Sequence, residues 1–133
     1  MRAVIDTNIL VSALLTPDGI PAQLIAAIRS QTLTPVASEN IFAEYAEVLN
    51  RPKFDFANKR TADLLEDLKG LALFLNPQHI PLQDLPDADD APFIAAALTA
   101  NCPVITGNSK HFPQETGVEA LSPAEALARL QAK

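Results

Sequence analysis

Short apolar runs alternate with longer amphipathic segments along the chain, and this alternation predicts strands and helices in turn. The run AVI at 3–5 is continuously apolar, which is typical of a strand buried on both faces of a parallel sheet. Comparable runs predict further strands at 33–38, 72–75 and 103–106, and a short edge strand at 118–121.

The segments between these runs carry helical periodicity or helix-boundary signals. At 58–73 leucines recur at the spacing of one helix face. The last helix has a strong start signal, because Ser122 is followed by proline and then by Glu125 at the third helical position. Other helices are predicted at 8–15, 21–29, 39–50 and 89–100. The order predicts an α/β fold in one domain, 1–133, with helices on both faces of a parallel sheet.

Polar residues follow two of the predicted strands, at the sheet edge where ligands bind in such folds. Residues 6–8 (Asp-Thr-Asn) follow the first strand, and residues 107–109 (Gly-Asn-Ser) follow the strand at 103–106. Because carboxyl ends of parallel strands lie at one edge of the sheet, these two segments are expected to lie close together.

Two acidic residues in helices are predicted to face the same edge. The stretch DLPDADDAPF at 84–93 holds four aspartates, of which Asp90 extends the buried stripe of Phe93 and Ile94 at ~100° per residue. Asp89 falls on the flank and is expected to cap the helix. Glu44 lies at the margin of the buried arc of the 39–50 helix and is expected to be partly buried.

Asp6, Glu44 and Asp90 are therefore expected to converge at one end of the sheet. Partly buried carboxylates are costly unless they are paired, and all-oxygen ligation suits Mg²⁺ or Mn²⁺. Such an ion can promote the attack of water on a phosphodiester. Each acid alone has a simpler interpretation, since Asp6 could cap the first helix and the other two could be solvated.

Composition narrows the choice of partners. The net charge is −6 and the pI is about 4.7, which argues against a protein held on nucleic acid by its overall charge. Four of the ten basic residues fall within 51–60. They could form a local basic surface beside an acidic site, or they could be an ordinary solvated face. The single cysteine, Cys102, excludes an internal disulfide. No signal peptide or apolar run of ~20 residues is recognisable, so we expect a cytoplasmic protein without a membrane span.

Four motifs in order resemble the PIN-domain family, specifically the VapC-type toxins of bacterial toxin–antitoxin pairs. They are VIDTNIL, ENIFAEYAEVLNRPKF, DADDAPFIAAAL and PVITGNSKHFP, and together they span most of the chain. The resemblance implies a three-layer α/β/α fold, Mg²⁺- or Mn²⁺-dependent ribonuclease activity, a cognate antitoxin and homo-oligomers. It also implies that Asp6, Glu44 and Asp90 are the family's first three acids, with Thr7 or Asn8 as a polar companion.

The fourth acidic position of the family departs from the common pattern, because this chain has Asn108 there. An amide can still ligate a metal or bind its water but brings no negative charge. Thr106 and Ser109 could support the site or make ordinary turn hydrogen bonds. His111 is expected to be an exposed loop residue. The candidates for contact with RNA are Arg51, Lys53 and Lys110.

Two functions remain open at the level of sequence. The first is a metal-dependent endoribonuclease toxin, and the second is a non-catalytic PIN-fold module that binds another protein. Other enzymes on this architecture are disfavoured. A haloacid-dehalogenase-like phosphatase needs Asp-x-Asp where Asn8 stands, and the four glycines form no G-x-G-x-x-G motif.

Overall fold

The computed structural model describes residues 1–56, 58–76, 90–113 and 116–132. Five strands form one sheet in the order β3-β2-β1-β4-β5, and every neighbouring pair among them is parallel. The strands are β1 (Arg2–Ile5), β2 (Thr34–Ala37), β3 (Leu73–Phe74), β4 (Val104–Ile105) and β5 (Ala120–Leu121). The predicted parallel sheet is confirmed, and β5 lies at one of its edges as expected.

Within the described residues, six helices complete a three-layer α/β/α arrangement, which confirms the predicted fold class. They are α1 (Thr7–Leu15), α2 (Ile20–Arg29), α3 (Glu39–Leu49), α4 (Asn58–Leu71), α5 (Ala91–Ala100) and α6 (Pro123–Gln131). Pro52–Phe54 and Ser109–His111 form 3-10 turns. Helix ends differ from the predicted ones by one or two residues. The predicted cap of α5, Asp89, lies outside the described residues, and the N-cap position is occupied by Asp90, one residue later than predicted, because the helix begins at Ala91.

Local chemistry explains several of these boundaries. Ser38 caps α3, because its hydroxyl accepts a hydrogen bond from the backbone N–H of Ile41. Ser122 and Glu125 form the predicted capping box at the start of α6. α5 ends where Asn101 adopts a left-handed conformation with φ 53°, a region that asparagine tolerates better than most residues.

The hydrophobic core lies around the central strands. Val4, Val36, Val104 and Ile105 are fully buried. α5 packs against β1, β2 and β4, and because consecutive residues of a strand point to opposite faces, the burial of both Val104 and Ile105 shows that both faces of the sheet are covered. Burial decreases toward β3, at the other edge of the sheet, where Phe74 is 40% exposed.

Strand order determines where a ligand would bind. The chain runs outward from β1 through β2 to β3 on one side, and from β4 to β5 on the other, so the order reverses between β1 and β4. In open parallel sheets, ligand sites form beyond the carboxyl ends of the strands at this reversal. Asp6 follows β1 and Thr106 follows β4, so both residues lie at the reversal.

No single helix among the described residues is long and apolar enough to cross a membrane. α1 and α2 together reach the required length and composition, but they are bent by 107° relative to each other.

Candidate functional site

Asp6 is buried at the reversal point and is held by the neighbouring strand. Its side chain is 7% exposed, and the Thr106 hydroxyl donates to its Oδ2 at 2.7 Å. Burial raises the pKa of Asp6, while the hydrogen bonds from Thr106 and the Thr7 backbone and the charge of His111 oppose that rise. The carboxylate is therefore fixed in position and is stabilised by any further positive charge.

The loop after β4 is tied to the residues after β1 by polar contacts. The backbone N–H of Gly107 donates to Asn8 Oδ1 at 3.2 Å, and the backbone N–H of Asn108 donates to Thr106 Oγ1 at 3.0 Å. The two polar segments thus lie side by side. Asn108 and Ser109 are exposed, so their side chains are accessible from solvent at the rim of the site.

Glu44 reaches the same region from α3. It is partly buried, and the hydroxyl of Thr7 donates to its Oε2. The next residue, Tyr45, is buried and donates its hydroxyl to the carbonyl oxygen of Ile5 at the end of β1. Burial and the negative charges of Asp6 and Glu44 raise the pKa of Tyr45. Tyr45 thus stays neutral and fixes α3 against β1, a role that its sequence pattern did not reveal.

Asp90 lies at the start of α5 and contacts His111. The aspartate is 7% exposed, and its Oδ2 is 3.1 Å from Nδ1 of His111, whose side chain is 36% exposed. His111 is therefore a loop histidine whose partly exposed side chain also contacts an acid, a contact that its sequence pattern did not predict. The adjacent Phe112 is buried and anchors the turn that carries His111. The sequence pair His-Phe was the only available signal for this contact.

His111 relates two of the predicted acids to each other. Its imidazole contacts Asp90 directly and is close enough to Asp6 for its charge to affect that carboxyl. His111, in the loop after β4, is thus near both Asp90 and Asp6. Glu44 joins this region through Thr7, the residue that follows Asp6.

The three candidates for contact with RNA lie on exposed segments. Arg51 pairs with Glu47, its Nη2 lying 2.9 Å from Oε2 of the glutamate. The ammonium group of Lys53 lies 5.0 Å from the ring centroid of Phe54. Lys110 is exposed in the turn that carries His111. Arg51 and Lys53 thus each contact a side chain that is near them in the sequence.

The donor chemistry suits a hard divalent cation. Within the part of the chain that the structure describes, no group of three or more His, Cys, Asp or Glu side chains is placed to hold one ion. Mg²⁺ is usually held by only one or two protein carboxylates and keeps several waters. Two buried carboxylates, Asp6 and Asp90, meet that number. The Thr106 hydroxyl bonds Asp6, and the backbone N–H of Asn108, two residues further along the loop, bonds the Thr106 hydroxyl.

Comparison with known proteins identifies the family. The family model for the PIN domain matches residues 2–110. The chain therefore belongs to the PIN-domain family, as its motifs predicted. The uncharacterized protein MJ1680 of Methanocaldococcus jannaschii is 29% identical over 111 residues, which cover 81% of this chain and 71% of that protein.

Solved structures show the same fold at low sequence identity. VapBC-1 from nontypeable Haemophilus influenzae matches with a TM-score of 0.61 and 21% identity, over 93% of this chain and 99% of that one. VapBC2 from Rickettsia felis, bound to a DNA fragment from its promoter, matches with a TM-score of 0.63 and 13% identity, over 92% of this chain and 98% of that one. FitAB bound to the IR36 DNA fragment matches with a TM-score of 0.60 and 16% identity, over 92% of this chain and 95% of that one.

Proposed function

We propose that this PIN-domain protein is a metal-dependent endoribonuclease and the toxin of a type II toxin–antitoxin pair. The observation that carries the proposal is the position of Asp6 and Asp90, two buried carboxylates that both lie near His111 at the reversal point of the sheet. Family membership and the likeness of the fold to VapBC and FitAB chains support it.

In this proposal, each residue of the site has a different role in the hydrolysis of a phosphodiester. Asp6 and Asp90 would hold Mg²⁺ or Mn²⁺, with Asn108 as a neutral oxygen donor. When bound, the ion supplies Lewis-acid stabilisation of the charge that develops on the phosphate. Thr106 holds Asp6 in place through its hydroxyl. Glu44, oriented by Thr7, positions the attacking water.

The first test is cleavage of RNA by the purified protein in Mg²⁺ or Mn²⁺. We expect EDTA to abolish cleavage, and we expect Asp6→Asn and Asp90→Asn to slow it by at least ~100-fold, because each removes a charge that stabilises the ion. Asp18→Asn is the matched control, since Asp18 is exposed in the turn between α1 and α2 and its change should leave the rate unaltered. Equal cleavage in EDTA would contradict the metal mechanism.

A cognate antitoxin and self-association belong to the same proposal. The similar structures include complexes named VapBC and FitAB, so we propose a protein partner that restrains the nuclease. We further propose a cytoplasmic homo-oligomer. Co-expression with the product of a neighbouring reading frame should suppress RNA cleavage. Size-exclusion chromatography with light scattering measures the oligomeric state.

A second function is favoured by one specific feature. The fourth acidic position holds Asn108, which lowers the negative charge available to a metal. A non-catalytic PIN-fold module that binds a protein partner would tolerate that change. Titration with Mn²⁺ separates the two functions, because the binding module predicts neither Mn²⁺ affinity at neutral pH nor RNA cleavage.

A further inference from the structure

The turn that joins α3 to α4 carries two stacked aromatic rings. Residues 52–54 form a 3-10 turn, and Asp55 adopts a left-handed conformation with φ 48° that reverses the chain. As a result, the rings of Phe54 and Phe56 lie almost parallel, with centroids 5.4 Å apart and an interplanar angle of 7°. We refer to residues 51–56 as the aromatic turn.

The aromatic turn combines this stack with positive charge. The ammonium group of Lys53 lies 5.0 Å from the ring centroid of Phe54, which is within cation–π distance. Phe56 packs against the hydrophobic core and so gives Phe54 a firm support. Both rings are partly exposed, and Lys53 is exposed.

We propose that the aromatic turn is a stacking subsite for a base of single-stranded RNA, a proposal that rests on the ribonuclease function proposed above. An unpaired base stacks on the ring of Phe54, and the flexible Lys53 moves from the ring to a neighbouring phosphate. Stacking on aromatic side chains beside cationic groups is the usual way in which proteins hold single strands.

The position of the aromatic turn suits a substrate that also reaches the acids. Glu44 lies in α3, which ends at Leu49, five residues or about 7.5 Å further along the helix axis. The aromatic turn begins two residues after that end. The aromatic turn and Glu44 thus belong to the same helix–turn segment, and the proposal places the scissile phosphate at Asp6 and Asp90 and another nucleotide of the same strand at Phe54.

Charge favours RNA over an apolar partner at this surface. The window 51–60 holds four basic residues and one acidic residue, in a chain whose net charge is −6. Arg51 is partly neutralised by Glu47, whereas the ammonium of Lys53 lies over an aromatic ring. Within the described residues Lys53 forms no ion pair with an acid, so a move to a phosphate would give up only the contact with the ring.

The test is the affinity for fluorescein-labelled single-stranded RNA, measured by fluorescence anisotropy in EDTA so that no cleavage occurs. We expect Phe54→Leu to raise Kd about tenfold, because leucine keeps apolar bulk but lacks the π face. Phe54→Trp should keep or lower Kd. Phe74→Leu is the matched control, since Phe74 is an exposed aromatic residue on the edge strand β3 and its loss should leave Kd unchanged.

Thermal unfolding of each variant shows whether the effect is specific, and we expect Phe54→Leu to retain the wild-type Tm within roughly 2 °C. Equal Kd values for wild type and Phe54→Leu would overturn the stacking subsite. The subsite would also be overturned if Phe54→Leu lost binding to a protein partner while its affinity for RNA stayed unchanged. If the protein cleaves RNA in a metal-dependent way but Phe54→Leu leaves the Kd for RNA unchanged, the subsite alone is rejected. Binding that depends on Phe54 without any cleavage rejects the nuclease function alone.

Discussion

The carboxylate of Asp6 is buried, and burial destabilises its negative charge. The hydrogen bonds that it accepts offset only part of that destabilisation. Desolvation raises its pKa, and the contacts from Thr106, the Thr7 backbone and His111 act in the opposite direction. A residue kept in this state destabilises the metal-free protein when it is ionised. It becomes favourable when a cation supplies the missing positive charge.

We therefore expect Asp6→Asn to raise the Tm of the metal-free protein at pH 7, by roughly 2–5 °C. A carboxyl whose folded pKa is raised favours the folded state when protonated, so the penalty is present above the folded pKa and declines as pH falls through it. The difference between Asp6→Asn and wild type should accordingly shrink at acidic pH. Differential scanning fluorimetry in EDTA measures both effects.

Adding Mn²⁺ completes that experiment. The wild-type Tm should rise with Mn²⁺ concentration because the ion binds the folded state, whereas the Asp6→Asn Tm should not. Asp18→Asn should behave as wild type in both conditions. A metal-free Asp6→Asn protein that melts below wild type would show that the charge of Asp6 is not under strain.

Sequence alone predicted the placement of single residues where a regular element sets their direction. The burial of Asp90 followed from the helical angle to Phe93 and Ile94, and the position of Asp6 followed from the strand before it. The contact of His111 with Asp90 could not be predicted, because it depends on the path of a loop and on where Phe112 packs. The contact between Gly107 and Asn8 has the same origin.

At the scale of elements, order and type were predictable because apolar periodicity reports burial directly. The predicted boundary was correct where a capping residue was present, as at Ser122, whereas the predicted strands at β3, β4 and β5 were each two residues too long. Asp84, Asp87 and Asp89 of the acidic stretch lie outside the described residues.

The start of α6 gives a direct test of these local signals. Ser122→Ala removes the hydroxyl that accepts the backbone N–H of Glu125 at 3.0 Å, and we expect a loss of about 1 kcal/mol in the free energy of unfolding. Urea denaturation followed by circular dichroism measures it. Ser30→Ala serves as the control, since the exposed Ser30 hydroxyl donates to the carbonyl oxygen of Ala27 at 3.1 Å and lies 3.0 Å from Oγ1 of Thr32, and in the described part of the chain it accepts no bond from a helix N-terminus. An equal loss in both variants would argue against the cap.

At the scale of the whole molecule, the net negative charge repels RNA, which is also negatively charged. An acidic protein that binds RNA must therefore do so through a small number of basic side chains. The basic side chains proposed to contact RNA are Arg51, Lys53 and Lys110, in a chain of net charge −6. The RNA binding proposed above would thus depend on local geometry and stacking more than on overall electrostatic attraction.

The salt dependence of RNA affinity should reflect this. Three phosphate contacts on a single strand predict that the logarithm of the association constant falls against the logarithm of salt concentration with a slope of about −2. Lys53→Gln should reduce the magnitude of that slope by about 0.7, and Lys69→Gln, a lysine of α4, should leave it unchanged. Anisotropy titrations at several KCl concentrations supply both slopes. A much steeper wild-type slope would indicate a wider electrostatic surface.

The hydrogen bond from Thr106 to Asp6 joins residues one hundred positions apart. During translation, Asp6 leaves the ribosome long before the strand that carries its partner exists. A growing chain thus holds Asp6 without the hydroxyl that fixes it until Thr106 has been made and β4 has paired with β1. Under the nuclease function proposed above, the arrangement would be incomplete in a nascent chain that has not reached Thr106.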